Sequence, residues 1–172
     1  MSKKMRSDKP VVFMSDTLPI KVEQLSDKKY RFQTVGSVAN VINGNNRVIP
    51  MSVQREAIED WKRERWQLTS YIGHPEPGQS IKGDMKELAG LCDIIDLNEA
   101  GETQIKITPL ESTEEGVQVK GMFDEGVQIG VSQRALGIQS VREDDRGNMF
   151  IVVEKTLDGK DMRTQMIEKI DT

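Results

Sequence analysis

One cysteine, one histidine and few aromatic residues narrow what this 172-residue chain can be. Cys92 alone rules out an internal disulfide and a cysteine-rich zinc site, in keeping with a reducing compartment. Within LAGLCDII it reads as a small buried hydrophobe. His74 alone excludes any site that takes two imidazoles from one chain. Aromatics make up 5% of the residues, so the core must be built from Val, Ile, Leu and the nine methionines. No apolar run reaches membrane-spanning length. The run VVFM behind the basic start is too short for a signal-peptide hydrophobic region and lacks a small-residue cleavage pattern. These absences place the protein in a cytosol. Charge of one sign is also missing: 24 Lys and Arg against 28 Asp and Glu leave a net −4, interspersed along the chain, which exerts no strong pull on nucleic acid. Neither a phosphate loop nor a dinucleotide fingerprint occurs. Asp93, Asp96 and Glu99 lack the glycine and bidentate glutamate of a calcium loop. No cofactor or metal, and no nucleic-acid or membrane partner, is expected.

What is present fits one domain. Residues 1–16, rich in Lys, Ser, Asp and Pro, read as a flexible N-terminal arm with one apolar patch, ahead of a single domain over 17–172. PIKVEQL and KKYRFQTVGSVANVI carry partial alternation around SDKK and predict a hairpin. NGNNR supplies residues suited to left-handed backbone. After Pro50 comes the clearest helix, SVQREAIEDWKRERWQL, with Val53, Ala57, Ile58, Trp61 and Leu68 on one stripe and Ser52 near its N-cap. From 103 to 136 the chain reads as strands: TQIKITPLE, a turn at STEEG, VQVKGMF, a turn at DEG, then VQIGVS. NMFIVVEKTL repeats the pattern after the turn EDDRGN. The expected class is α+β, β-rich, with at least one amphipathic helix on a sheet or barrel.

Two residues stand out chemically. Ser132 follows a short apolar strand, which would present its hydroxyl just past the strand end. His74 lies in the Gly- and Pro-rich GHPEPGQS, where a strand runs out into a loop. Most serines at such positions only hydrogen-bond local backbone. Together, however, they supply a nucleophile and the imidazole that takes its proton near neutral pH.

Four segments carry a more specific signal: NGNNRVIP (43–50), GHP (73–75), ITPLESTEEGVQVKGMFDEGVQIGVSQRALG (107–137) and IEKIDT (167–172). In order and spacing they resemble the prohead (capsid maturation) protease family of tailed phages. The chain departs from that pattern at Gln133, where a second serine is common, and at Ala135, where glycine is common. The resemblance implies a herpesvirus-assemblin-like fold, a closed or partly closed antiparallel barrel flanked by helices. It implies a serine endopeptidase with Ser132 as nucleophile and His74 as general base. Backbone N–H groups around Gln133 and Arg134 would receive the oxyanion.

The acid that orients the imidazole is Asp171, at the place of the family's late Asp-x-Val strand, or alternatively Glu154 within a convincing strand. Only Thr172 follows Asp171 where the family continues, so a fragment or a form trimmed by self-cleavage is expected. The acidic 143–145 cluster reads as a solvated loop. The resemblance further implies scaffold and major capsid proteins as substrates, self-cleavage of a zymogen, a homodimer, and a location in the host cytoplasm inside the assembling procapsid. The competing expectation is a catalytically inactive barrel acting as a scaffold or capsid-assembly factor.

Overall fold

The structure is a computed structural model and describes residues 5–6, 11–14, 18–19, 21–23, 31–64, 67–73, 87–156 and 163–169. Four short strands open the chain: β1 (Met5–Arg6), β2 (Val11–Met14), β3 (Leu18–Pro19) and β4 (Lys21–Glu23). Then come β5 (Arg31–Val38), β6 (Arg47–Val48), helix α1 (Met51–Glu64), β7 (Leu68–Ile72), β8 (Leu88–Leu97) and β9 (Glu102–Pro109). Helix α2 (Glu114–Asp124), β10 (Ile129–Glu143), β11 (Met149–Thr156) and β12 (Arg163–Lys169) complete the fold.

All strands belong to one hydrogen-bonded sheet, antiparallel except where β6 runs parallel to β11 and β7 parallel to β12. The long β10 organises it. Ala135 pairs with Arg163 of β12 and with Phe13 of β2, so these two strands lie on opposite edges. Gly137 pairs with Thr156 of β11 and with Val11 of β2. Strands β11 and β12 therefore follow one another along one edge of β10, while β3, β2 and β1 follow one another along the other. From β12 the sheet continues through β7, β8 and β9 to β5. It then curls back to β10 through β4, which pairs with β5, and β3, which pairs with β10. The result is a β-rich, partly closed barrel with two helices.

The arm expected to lack regular structure thus contributes β1 and β2. The edge of β10 offers unpaired backbone groups, and the apolar 11–14 run supplies a strand to satisfy them. The hairpin expected ahead of residue 38 is present as the β4–β5 pair.

Helix α1 buries Val53, Ala57, Ile58 and Trp61, as the 3.6-residue period requires. It begins at Met51 rather than after Ser52: Asn40 Oδ1 accepts the Met51 N–H at 2.8 Å and the Pro50 carbonyl accepts that of Gln54 at 3.0 Å. Asn40, with Asn46, takes the left-handed backbone expected of this loop. Leu68 belongs to β7 and not to the helix stripe. Gln54 is buried as well, and its amide donates to Thr103 Oγ1 (2.7 Å) and Ser37 Oγ (3.2 Å), tying α1 to β9 and β5. One apolar cluster gathers Ile58, Trp61, Leu68, Cys92, Ile105, Ile107, Val119, Ile129 and Val131; a second joins Ile49, Val53, Ala135 and Val153.

The segment VQVKGMF, expected as a strand, lies in α2. Thr113 caps the helix by accepting the Gly116 N–H at 3.0 Å, and Glu114 and Glu115 occupy its first turn, where the helix dipole favours them. The apparent period of two at Val117 and Val119 misleads because a helix sends them apart: Val119 is fully buried and Val117 is 56% exposed. The turn EDDRGN forms as expected, with Asp144 accepting the backbone N–H groups of Arg146 and Asn148 and Gly147 at positive φ. No helix among the described residues is long and apolar enough to cross a membrane.

Candidate active site

Ser132 does not sit past a strand end. It is the fourth residue of the 15-residue β10, which runs on through Glu143 because strands pair with it on both edges. Ile129, Val131 and Ala135 of β10 face the apolar clusters, so strand alternation turns Ser132 to the opposite face. There it is nevertheless 0% exposed, and its Oγ has no hydrogen-bond partner among the described residues. A buried hydroxyl left in that state costs about 1–3 kcal/mol, and a catalytic role is one of the reasons a protein keeps such a group.

The register fixes what lies beside it. Ser132 pairs with Met166 of β12, and Met166 with Tyr71 of β7, so the three form one row across the sheet. Tyr71 shares the face of Ser132, and its phenol oxygen accepts a hydrogen bond from Thr69 Oγ1 at 3.2 Å. One residue later Ile72 ends β7, and Gly73 follows at φ +78 with open space where a Cβ would stand. At about 4.8 Å per strand, β7 thus ends roughly 10 Å across the sheet from the Ser132 neighbourhood. His74 is the next residue, and it lies outside the described residues. Asp171 lies outside them too; β12, the strand that leads to it, ends at Lys169 opposite Ile129.

The proposed oxyanion residues, Gln133 and Arg134, follow Ser132 directly on β10. On the edge of β10 that carries the N-terminal strands, β3 pairs as far as Val131 and β2 begins at Arg134. Ser132 and Gln133 lie between these two stretches, and residues 15–17, which join β2 to β3, lie outside the described residues. Backbone N–H and C=O groups of successive strand residues point to alternate edges, so one of Ser132 and Gln133 directs its pair to this edge. Gln133 itself is buried, and Arg134 is held by backbone pairing to Thr164 and Met14.

Glu154 is not brought to Ser132. The register between β10 and β11 jumps from Ile138–Lys155 to Gln139–Val153, so Glu154 is the extra residue of a β-bulge. The bulge aims its carboxylate at Ser140, whose hydroxyl donates to it, and at Arg142, 3.1 Å away. Along β10 Ser140 lies about 26 Å from Ser132 at roughly 3.3 Å per residue. Sequence reasoning could not find this engagement, because a bulge leaves no signature in a run such as NMFIVVEKTL. It also missed the course of the N-terminal strands past the nucleophile; the one available signal was the apolar run VVFM.

Cys92 is buried in the first cluster, and burial, with the nearby Asp93 charge, pushes its thiol well above the usual range, so it stays protonated and inert. No group of three or more His, Cys, Asp or Glu side chains among the described residues is placed to hold a metal ion.

A curled, mostly antiparallel sheet with two helices is an architecture already seen in solved structures. One of them is the bacteriophage T4 capsid assembly protease, gp21, which superposes with a TM-score of 0.71 at 16% identity, covering 92% of this chain and 99% of that one. The chain therefore has the fold of a phage capsid assembly protease. No family model matches the sequence, nor does any curated protein.

Proposed function

We propose that the protein is a phage prohead maturation endopeptidase of the serine type. The single observation that carries this reading is the fully buried, unpartnered hydroxyl of Ser132, in the sheet row beside the strand that leads directly to His74. The fold shared with the T4 capsid assembly protease supports the role, and the sequence resemblance to the prohead protease family extends it to serine-protease chemistry. His74 removes the Ser132 proton as Oγ bonds to the scissile carbonyl carbon. The oxyanion is received by backbone N–H groups at the 132–134 stretch. Collapse breaks the C–N bond, His74 gives its proton to the leaving amine, and water then hydrolyses the ester by the same route. Asp171 orients the imidazole. Glu154 is the weaker candidate because Ser140 and Arg142 already occupy it.

The substrates are scaffold and capsid proteins inside the assembling procapsid, cleaved by an enzyme made as a zymogen. The zymogen reading is supported by the N-terminal strands, which lie in extended form along the edge of β10 where an extended substrate would pair. A homodimer is part of the same proposal.

A second reading, a catalytically silent barrel that aids capsid assembly, is favoured by one observation: Ser132 has no exposed surface. The two are separated by expressing the chain with its scaffold protein, comparing wild type with Ser132→Ala and His74→Ala, and reading products by intact mass. Cleavage lost in both variants, with folding unchanged, establishes the protease. An inert wild type, also inert after removal of residues 1–16, or variants that still cut, establishes the assembly factor.

A further inference from the structure

A cavity of about 420 Å³ lies between α2 and the sheet, walled by Leu91 and Thr108 on one side and Val117 and Lys120 on the other, with Leu110 between. Its walls are held in place. Gly116 packs so closely that a Cβ there would stand 1.9 Å from the Leu110 carbonyl oxygen and 2.8 Å from that of Ala89. The first turn of α2 is thus seated directly on backbone, and the Leu110 N–H donates to the Ala89 carbonyl at 2.8 Å. The volume falls in the range of small-ligand pockets, and the lining is mainly apolar. On its rim the α2 side chain Val117 is largely exposed.

The cavity opens on the same face of the sheet as Ser132. Thr108 pairs with Leu91, Leu91 with Thr69, Thr69 with Thr164 and Thr164 with Arg134, two residues along β10 from Ser132. Directly paired residues share a face. The face that carries Ser132 therefore continues past Tyr71 and Thr69 to the cavity without changing side. Three or four strand spacings across and two residues along amount to about 16–20 Å over the surface, or roughly five to six residues of extended peptide.

We infer that this cavity is a remote subsite, which takes a large apolar side chain of the polypeptide substrate about five or six residues from the scissile bond. The inference rests on the protease reading for what the peptide does at Ser132. The occupant is the polypeptide substrate because the face that carries Ser132 runs without a change of side to the cavity, within reach of an extended chain whose reacting carbonyl lies at Ser132. The side chain it delivers is apolar because the walls offer it Leu91, Leu110 and Val117.

The test uses the full chain with Ser132→Ala and overlapping scaffold peptides of about six and about sixteen residues, followed by fluorescence polarisation. The long peptides that carry an apolar residue at this remove are expected to bind about tenfold tighter than their short cores, the gain of burying one large side chain. Replacing that residue by Asp, or making Val117→Asp in the protein, should erase the gain. Val117 is exposed, so the variant is expected to fold, and the peptide substitution gives the same answer if it does not. Affinity that ignores peptide length and the apolar residue, or a gain that survives Val117→Asp, overturns the subsite. Cleavage by wild type reads the other claim separately. Length-dependent binding without cleavage removes the protease and leaves a peptide-binding cavity; cleavage without length dependence leaves the protease and removes the subsite.

Discussion

Residues 129–135 of β10 pair with β12 and residues 137–143 with β11, and each half of the strand buries a serine. Ser140 donates to Glu154, which also meets Arg142, so the hydroxyl in the second half is fully employed. The hydroxyl in the first half, that of Ser132, has no partner among the described residues. Strand, burial and side chain are the same, and only the neighbours differ. A polar group whose bonds are made locally stabilises the fold and is then committed to it. One left unpaired lowers stability and stays free for another bond. The contrast points to the first half of β10 as the reactive half and the second as the structural one.

Substitution of the two serines tests this most sharply. Ser132→Ala should abolish peptide cleavage, by about a thousandfold or more. It should leave thermal stability unchanged or slightly raised, because the hydroxyl it removes makes no bond. A clear drop in melting temperature would end the contrast. Next in size is the choice of acid: Asp171→Asn should lower kcat by about a hundredfold to ten thousandfold. Glu154→Gln should change kcat little, and the opposite ranking in a steady-state assay would move the triad to Glu154.

Stability should respond in the reverse sense. Glu154→Ala, which strands both Ser140 and Arg142, should cost about 1–2 kcal/mol in denaturant unfolding, moderated by the partial exposure of the ion pair, and Ser140→Ala about 1 kcal/mol. The smallest effect belongs to the turn that closes the second half. The backbone N–H of Asn148, and then that of Arg146, hold the Asp144 carboxyl below its ordinary range. A depressed carboxyl contributes stability above its unfolded pKa of about 3.9 and loses it as pH falls through the folded value. The melting-temperature gap between wild type and Asp144→Ala should therefore be full at neutral pH and close as the solution is acidified below about pH 4. Cleavage should be unaffected.

Much of the architecture was legible in the residues. The α1 stripe, the β4–β5 hairpin, the β9 and β11 strands and the turn at 144–148 all follow from period and turn chemistry. What escaped depends on contacts between distant segments. Helix α2 was hidden because Val117 and Val119 imitate alternation, while its start signal, Thr113 followed by two glutamates, resembled a turn. The length of β10 was hidden because Arg134 to Gly137 look like a strand's end until partners on both edges hold them extended. Of the site, Ser132 was found by its neighbours in sequence, but its burial was not, since burial arises from strands that lie far from it along the chain. The commitment of Glu154 needed a bulge, which composition cannot announce.

The N-terminal strands pair with one edge of β10 at residues 130–131, 134–137 and 140–141. Detaching them would do more than open a site. It would lay bare a row of backbone donors and acceptors along a strand of 15 residues, and an uncovered edge of that length is a template for any other extended chain. Such a molecule would be adhesive, and would have to exchange one covering strand promptly for another. A closed compartment crowded with protein to be cut is a setting in which that adhesiveness is useful, and free solution is one in which it would lead to aggregation.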